Sequence, residues 1–276
     1  MTATPELARL RRHLSSLGRV VVAFSGGVDS GLLAWVAHDT LGPAAAVAVT
    51  AVSASLAPSE RADCRRLAAA WGLRWLEVDS DEAARPAYVA NGPDRCYHCK
   101  SELMDHLQGV AAGEGGAAIA LGVNLDDLND HRPGQKAAAE RGAVFPLVDA
   151  GFTKAQVRTA ARQLGIDAWD KPAAACLASR IPYGTPVTLG TLSRVATAEE
   201  ALRGLGYRDL RVRHYGDLAR LELGAGELDR AVKERAQVVA AVRGAGYRYV
   251  TLDLEGLRSG NLNEGIARGR PEAAPA

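Results

Sequence analysis

The sequence predicts an α/β fold, a parallel sheet covered by helices, followed by a smaller α+β domain. Three observations carry this. From residue 19 to about 165, short apolar runs alternate with helical segments, which is the pattern of βα units whose strands are buried on both faces. After "RIPYG" (180–184) the order changes to helix, two strands around a tight turn, helix and strand. With 276 residues, 47% hydrophobic and 24% charged, the chain can bury one large core or two modest ones.

The elements follow in order. Leu7, Leu10, Leu14 and Leu17 share one helical face, with Arg9, Arg11 and Arg12 on the others, so the N-terminal stretch is a packing helix. "RVVVAF" (19–24) is a buried strand, "GLLAWVAHDTL" a helix and "AAAVAVTAV" (44–52) a second strand. A helix over 59–72, a strand over 73–79 and a helix beginning at "CYHCK" come next. "AAIALGV" (117–123) and the short run "AVFPLV" (143–148) complete the strands, and "TKAQVRTAARQLG" is helical. Beyond 184, a helix at about 189–205, strands within "LRVRHYGDLARLEL", a helix over about 226–243 and a strand at 247–254 close the pattern. The expected domains are 1–184 and 185–265, with a disordered tail at 266–276, "GRPEAAPA" at its end.

Lys and Arg number 33 against 32 Asp and Glu, a formal net charge of +1. No global field gathers nucleic acid or an anionic membrane. No run approaches the roughly 18 to 20 apolar residues of a membrane span, and the N-terminus lacks the apolar core of a signal peptide. A cytoplasmic protein is expected, whose four cysteines are reduced, metal-bound or catalytic rather than paired in disulfides.

"SGGVDS" (25–30) stands directly between a buried strand and a helix. That junction gathers backbone N–H groups and a helix N-terminus at the C-terminal edge of a parallel sheet, where anions bind. Gly26 and Gly27 permit positive φ and close backbone approach, and Ser25 and Ser30 offer hydroxyls to phosphate oxygens. Asp29 would repel a phosphate unless a cation bridged them, which points to Mg²⁺. No lysine follows the glycines, so this is not the common nucleotide loop. The hexapeptide resembles the pyrophosphate (PP) loop of the N-type ATP pyrophosphatases, and the resemblance implies a Rossmann-like domain that cleaves ATP between its α and β phosphates. Transfer of AMP to a substrate oxygen would let sulfur or nitrogen expel AMP where it cannot expel hydroxide. "LGVNLDDLNDHRPG" (121–134) follows another strand and brings Gly122, Asn124, Asp126, Asp127, Asp130 and Arg132 to the same sheet edge. Gly122 and Asp127 are counted with the ATP site and Arg132 with the substrate; a solvated acidic loop is the plain alternative.

Cys64 shares a helix face with Leu67, Ala68 and Trp71 and is core packing. Cys96 and Cys99 turn two sulfurs toward one point, suited to zinc, an iron–sulfur cluster or a redox pair. They also continue an apolar stripe through Leu103, Leu107 and Val110. With Cys176 as a third thiolate, a four-iron cluster could be held with one iron open to sulfide or substrate. His98 is a possible fourth ligand, though it points more naturally to the neighbouring helix face.

"SGGVDS", "RCYHCK", "LGVNLDDLNDHRPGQKAAAERGAVFPL", "TKAQVR", "KPAAACLASRIPYG" and "LRVRHYGDLARLEL" together, spread over about residues 10 to 265, resemble the LarE family. Its members are ATP-dependent sulfur transferases that help build the nickel-pincer nucleotide of lactate racemase. The resemblance implies pyridinium-3,5-biscarboxylic acid mononucleotide as substrate, adenylated on each carboxylate and thiolated. The sulfur-donor position falls on Cys176, and substrate-phosphate and pocket positions on Ser179, Arg180, Glu200, Arg211 and Arg213. Arg211 and Arg213, two apart on one strand, face the same side as a phosphate clamp requires. In one family chemistry the donor cysteine is sacrificed and left as dehydroalanine; in the other, three cysteines carry a [4Fe–4S] cluster that passes on external sulfide. Cys96 and Cys99 place this chain with the second. The family likeness also suggests a homo-oligomer.

Three other readings compete. A tRNA thiolase shares the ATP site, but neutral charge and the lack of a basic, aromatic-laced face count against it. An amide-forming synthetase needs an ammonia source, and there is no glutaminase domain. A nucleotide sensor would bind ATP and release no pyrophosphate.

Overall fold

A computed structural model describes residues 4–129, 133–171 and 175–258. Arg132, Asp130 and the tail at 266–276 lie outside the described residues. In chain order the elements are α1 (Pro5–Leu17), β1 (Val20–Ala23), α2 (Val28–Leu41), β2 (Ala46–Val52), α3 (Pro58–Ala70), β3 (Trp75–Asp79), α4 (Pro86–Val89) and α5 (Arg95–Gly113). There follow β4 (Ala118–Leu121), α6 (Pro133–Glu140), α7 (Pro146–Asp149), α8 (Lys154–Gln163), α9 (Leu189–Gly204), β5 (Leu210–Tyr215), β6 (Leu218–Leu223), α10 (Leu228–Lys233), α11 (Arg235–Gly244) and β7 (Tyr249–Leu252).

The described chain forms two compact units. One comprises residues up to 53 with 59–82 and 96–171; the other takes 54–58, 83–95 and 175–258. The first is built on a parallel sheet of order β3-β2-β1-β4, with Val20 opposite Ala46 and Ala118. Strand alternation divides its interior in two. Val20, Val22, Ala46, Ala48 and Ala120 face a core with Leu10, Leu14, Leu32, Leu33 and Leu67. Val21, Val47, Val49, Ile119 and Leu121 face another with Met104 and Leu107. Each fully buried leucine of this kind stabilises the unit by about 1.5–3 kcal/mol. Both faces of β1, β2 and β4 are therefore packed, and their ends are where a ligand can approach.

The run "AVFPLV" departs from the expected strand. Only Val144 bridges the sheet, opposite Ala120. Pro146, whose ring presets helical φ, opens the helical turn α7.

The second unit carries a sheet of order β5-β6-β7, antiparallel between β5 and β6 and parallel between β6 and β7. Its core gathers Ala198 and Leu202 of α9, Val212, Leu221 and Leu223 of the hairpin, and Val238 and Val242 of α11. The helix expected over 226–243 is divided at Glu234, whose carboxylate takes the Tyr207 hydroxyl at 2.9 Å and the Arg230 Nε at 3.0 Å.

Candidate active site

The first part of the site is the end of β1. Helix α2 begins at Val28 with Gly27 as its N-cap, so Asp29 and Ser30 lie in its first turn. No side chain caps this end, which leaves first-turn N–H groups for an anion. Gly26 has φ +68°, and a Cβ there would come 3.1 Å from the Cys64 Sγ beneath it. Both demands require glycine. Ser30 Oγ donates to the Gly27 carbonyl at 3.2 Å and accepts from Ser25 N at 3.2 Å, while the two serine hydroxyls lie 3.1 Å apart.

Gly122, at the end of β4, is close-packed for the same reason. A Cβ at Gly122 would stand 2.6 Å from Ser30 N and 2.8 Å from the Asp29 carbonyl carbon. The neighbouring strand thus touches the backbone of the phosphate-loop helix directly. Asn124, fully buried beyond it, donates from Nδ2 to Asp29 Oδ1 at 3.0 Å. Its own N–H is accepted by Asp127 Oδ2 at 3.1 Å, and its Oδ1 accepts from Asp126 N at 3.0 Å. Asp126 and Asp127 are thus bonded around Asn124, with Asp126 still exposed.

Lys154, which composition and motif spacing did not single out, is the other partner of Asp29. Its ammonium donates to Asp29 Oδ2, and its backbone N–H to Asp126 Oδ2 at 2.8 Å. The capping box of Thr153 and Gln156 starts α8 at this point, and "TKAQVR" already held that signal. Cys64 is fully buried, and burial pushes its thiol up to about 11, so it packs rather than reacts.

The second unit holds Cys176 and the arginines. Cys176 is exposed and is the N-cap of the short 3₁₀ turn Leu177–Arg180. Its carbonyl accepts from Ser179 N at 2.9 Å, Ser179 Oγ at 2.7 Å and Arg180 Nη1 at 3.1 Å. Arg180, 5% exposed, also forks onto Glu199, with Nε at 2.9 Å and Nη2 at 3.2 Å. Glu199 is fully buried and accepts in addition from Val212 N at 3.0 Å and Arg203 Nη2 at 3.2 Å. Glu200, the neighbour expected in the pocket, is exposed. Arg213 forks onto buried Glu222 at 2.9 and 2.8 Å and donates to the Ser179 carbonyl at 2.7 Å. Such paired and fully bonded ions hold their geometry; removing one partner costs about 3–5 kcal/mol.

Arg211 is half-buried and donates to the Arg258 carbonyl at 3.2 Å. Burial, with Arg180 and Arg213 nearby, lowers its pKa. Arg180 and Arg213 are each committed to a buried carboxylate, Glu199 and Glu222.

Cys96 is exposed and Cys99 half-buried, one turn apart on α5. Among the described residues no three His, Cys, Asp or Glu side chains converge as a ready metal site. No helix among them is long and apolar enough to cross a membrane.

No family model matches the chain. An uncharacterized protein of Synechocystis sp. is 46% identical over 265 residues, spanning 95% of this chain and 98% of its own. The pyridinium-3,5-bisthiocarboxylic acid mononucleotide synthase of Lactiplantibacillus plantarum is 38% identical over 267 residues, 97% of each chain. An uncharacterized protein of Methanocaldococcus jannaschii is 25% identical over 262 residues, 94% of this chain and 100% of its own.

Proposed function

The chain belongs to the LarE family of ATP-dependent sulfur transferases, and from that membership we propose that it thiolates pyridinium-3,5-biscarboxylic acid mononucleotide. Near-full-length identity to the synthase of L. plantarum carries the reading. A substrate carboxylate oxygen attacks the α-phosphorus of ATP, the α–β bridging bond breaks, and pyrophosphate leaves with the electron pair. Sulfur then adds to the acyl carbon, and AMP departs with the pair of the C–O bond, leaving a thiocarboxylate.

We assign the pyrophosphate to Ser25, Gly26, Gly27, Ser30 and the first-turn N–H groups of α2. Gly122 and Asp127 shape the neighbouring wall. Asp29 is the residue that would hold Mg²⁺, which would neutralise phosphate charge when bound. Asp29 already pairs with a cation, Lys154, so a positive partner at this carboxylate suits the site. Arg211 and Arg213, with Arg132, Ser179, Arg180 and Glu200, are assigned to the substrate and its phosphate.

The sulfur donor is assigned to Cys176. Cys96, Cys99 and Cys176 are the three cysteines outside the buried core, and as thiolates they suit a [4Fe–4S] cluster. When bound, that cluster supplies sulfide from an external donor. Without it, the Cys176 thiolate would form a thioester with the acyl carbon, and loss of its Cα proton with cleavage of its Cβ–Sγ bond would release the thiocarboxylate and leave dehydroalanine, once per chain. The chain is also proposed to act as a homo-oligomer.

Iron and acid-labile sulfide, measured on protein purified without oxygen, test the donor assignment. About four irons per chain, lost in Cys96→Ser, Cys99→Ser and Cys176→Ser, is the expected result. Iron-free protein that still transfers sulfur would assign the atom to the side chain of Cys176.

A further inference from the structure

Arg95 is 3% exposed, a depth at which a guanidinium is costly unless its donors are taken. Its Nη1 donates to the Asn91 Oδ1 at 2.6 Å and to the carbonyl of Ala178 at 2.8 Å. The guanidinium carbon lies 5.5 Å from the centre of the Tyr183 ring, a cation–π distance. Asn91 in turn is fully buried and has φ +55°, a left-handed conformation that asparagine tolerates better than most residues. Its Nδ2 donates to the carbonyls of Pro182 at 2.8 Å and Thr185 at 2.7 Å, and its carbonyl accepts from Gly184 N at 3.0 Å.

The arrangement has a common target. The carbonyls of Cys176, Ala178 and Ser179, all in or at the edge of one 3₁₀ turn, are held by Arg180, Arg95 and Arg213 respectively. A turn this short has little internal bonding of its own, so its place is set by these side chains. Arg180 and Arg213 lie in the sequence blocks already assigned to the site. Arg95 opens the "RCYHCK" block without having been given a role there, and it reaches Ala178 from 83 residues away.

From this geometry we infer that Arg95 is a positioning residue for Cys176, locking through Ala178 and Asn91 the turn that presents the thiol. The inference rests on the reading of Cys176 as the sulfur-bearing residue. Arg95 does not touch the substrate; it fixes where the sulfur stands.

The test compares Arg95→Gln, Arg95→Lys and Cys176→Ser with the parent chain by three readouts. These are the rate of iodoacetamide labelling of Cys176 on its peptide, pyrophosphate release, and sulfur transfer. Small misplacements of a reacting group cost up to about a hundredfold, so Arg95→Gln is expected to change Cys176 labelling and lower sulfur transfer by about tenfold or more. Pyrophosphate release falls less than about threefold, since adenylation needs no thiol. Arg95→Lys, which keeps the charge without the planar fork, restores part of the transfer rate. Unchanged labelling and transfer would overturn the role, as would pyrophosphate release falling in step with transfer. If Arg95→Gln yields no soluble protein, Arg95→Lys carries the same comparison. Sulfur transfer surviving in Cys176→Ser would overturn the parent reading and this role with it. Loss in Cys176→Ser beside a normal Arg95→Gln would overturn Arg95 alone.

Discussion

Asp29 and Lys154 form an ion pair, and in the proposed ATP site that ammonium keeps the carboxylate compensated beside the triphosphate. Asp29→Ala is expected to abolish pyrophosphate release; full retention would remove this residue from the ATP site. Lys154→Met should lower kcat/KM for ATP by about 10–100-fold, because an uncompensated Asp29 then opposes the phosphates. An unchanged value would make Lys154 a helix-start residue only. Arg211→Ala should raise KM for the mononucleotide much more than KM for ATP, and equal effects on both would refute its assignment. At this scale the legible residues were those in compact motifs. The reading of "SGGVDS" rests on residue order alone, whereas Lys154 stands 125 residues from Asp29 and only the folded chain joins them. Glu200 is exposed, while its neighbour Glu199 lies in the buried stripe of α9 with Leu192, Val195 and Leu202. Helical phase could have put the carboxylate inside.

At the scale of elements, the phosphate loop depends on how closely β4 approaches α2. Gly122→Ala would drive a methyl group against Ser30 N and the Asp29 carbonyl carbon. Backbone cannot yield as a flexible side chain can, so a loss of about 1–3 kcal/mol in stability is expected. ATP binding falls with it, and thermal melting with and without ATP checks both. A variant with normal melting and normal ATP affinity would show that the approach is looser than the structure gives. The βα alternation was readable because β1, β2 and β4 are packed on both faces and so are nearly continuously apolar. "AVFPLV" has the same composition, yet a proline in its middle turns it into a helix start. Apolar content marks burial, and the proline should have decided the geometry.

At the scale of the whole molecule, acid sensitivity is expected in the second unit. His214 is buried with Nδ1 3.1 Å from the Tyr247 hydroxyl, and burial, with Arg194 adding to it, lowers its pKa. The unfolded chain then binds the proton more readily than the folded one. Stability from the neutral imidazole is complete above its ordinary value, about 6.5, and is lost as pH falls through the lower folded value. His214→Phe should flatten the melting temperature between about pH 7 and pH 5; an unchanged slope would assign acid sensitivity elsewhere. The change of pattern after "RIPYG" suggested a boundary at residue 184. In the fold, the unit carrying Cys176 also recruits 54–58 and 83–95, which no local pattern announces. Asn91 and Arg95 reach that unit through long-range hydrogen bonds, invisible to periodicity.

The central claim is ATP-dependent transfer of sulfur at Cys176 to a pyridinium mononucleotide. The most direct measurement is mass spectrometry of both product and chain after turnover with ATP, Mg²⁺, pyridinium-3,5-biscarboxylic acid mononucleotide and sulfide, without oxygen. Expected are thiocarboxylate with one AMP and one pyrophosphate per sulfur, a polypeptide mass that does not change, and no product from Cys176→Ser. AMP and pyrophosphate without thiocarboxylate, or thiocarboxylate made equally well by Cys176→Ser, would contradict it.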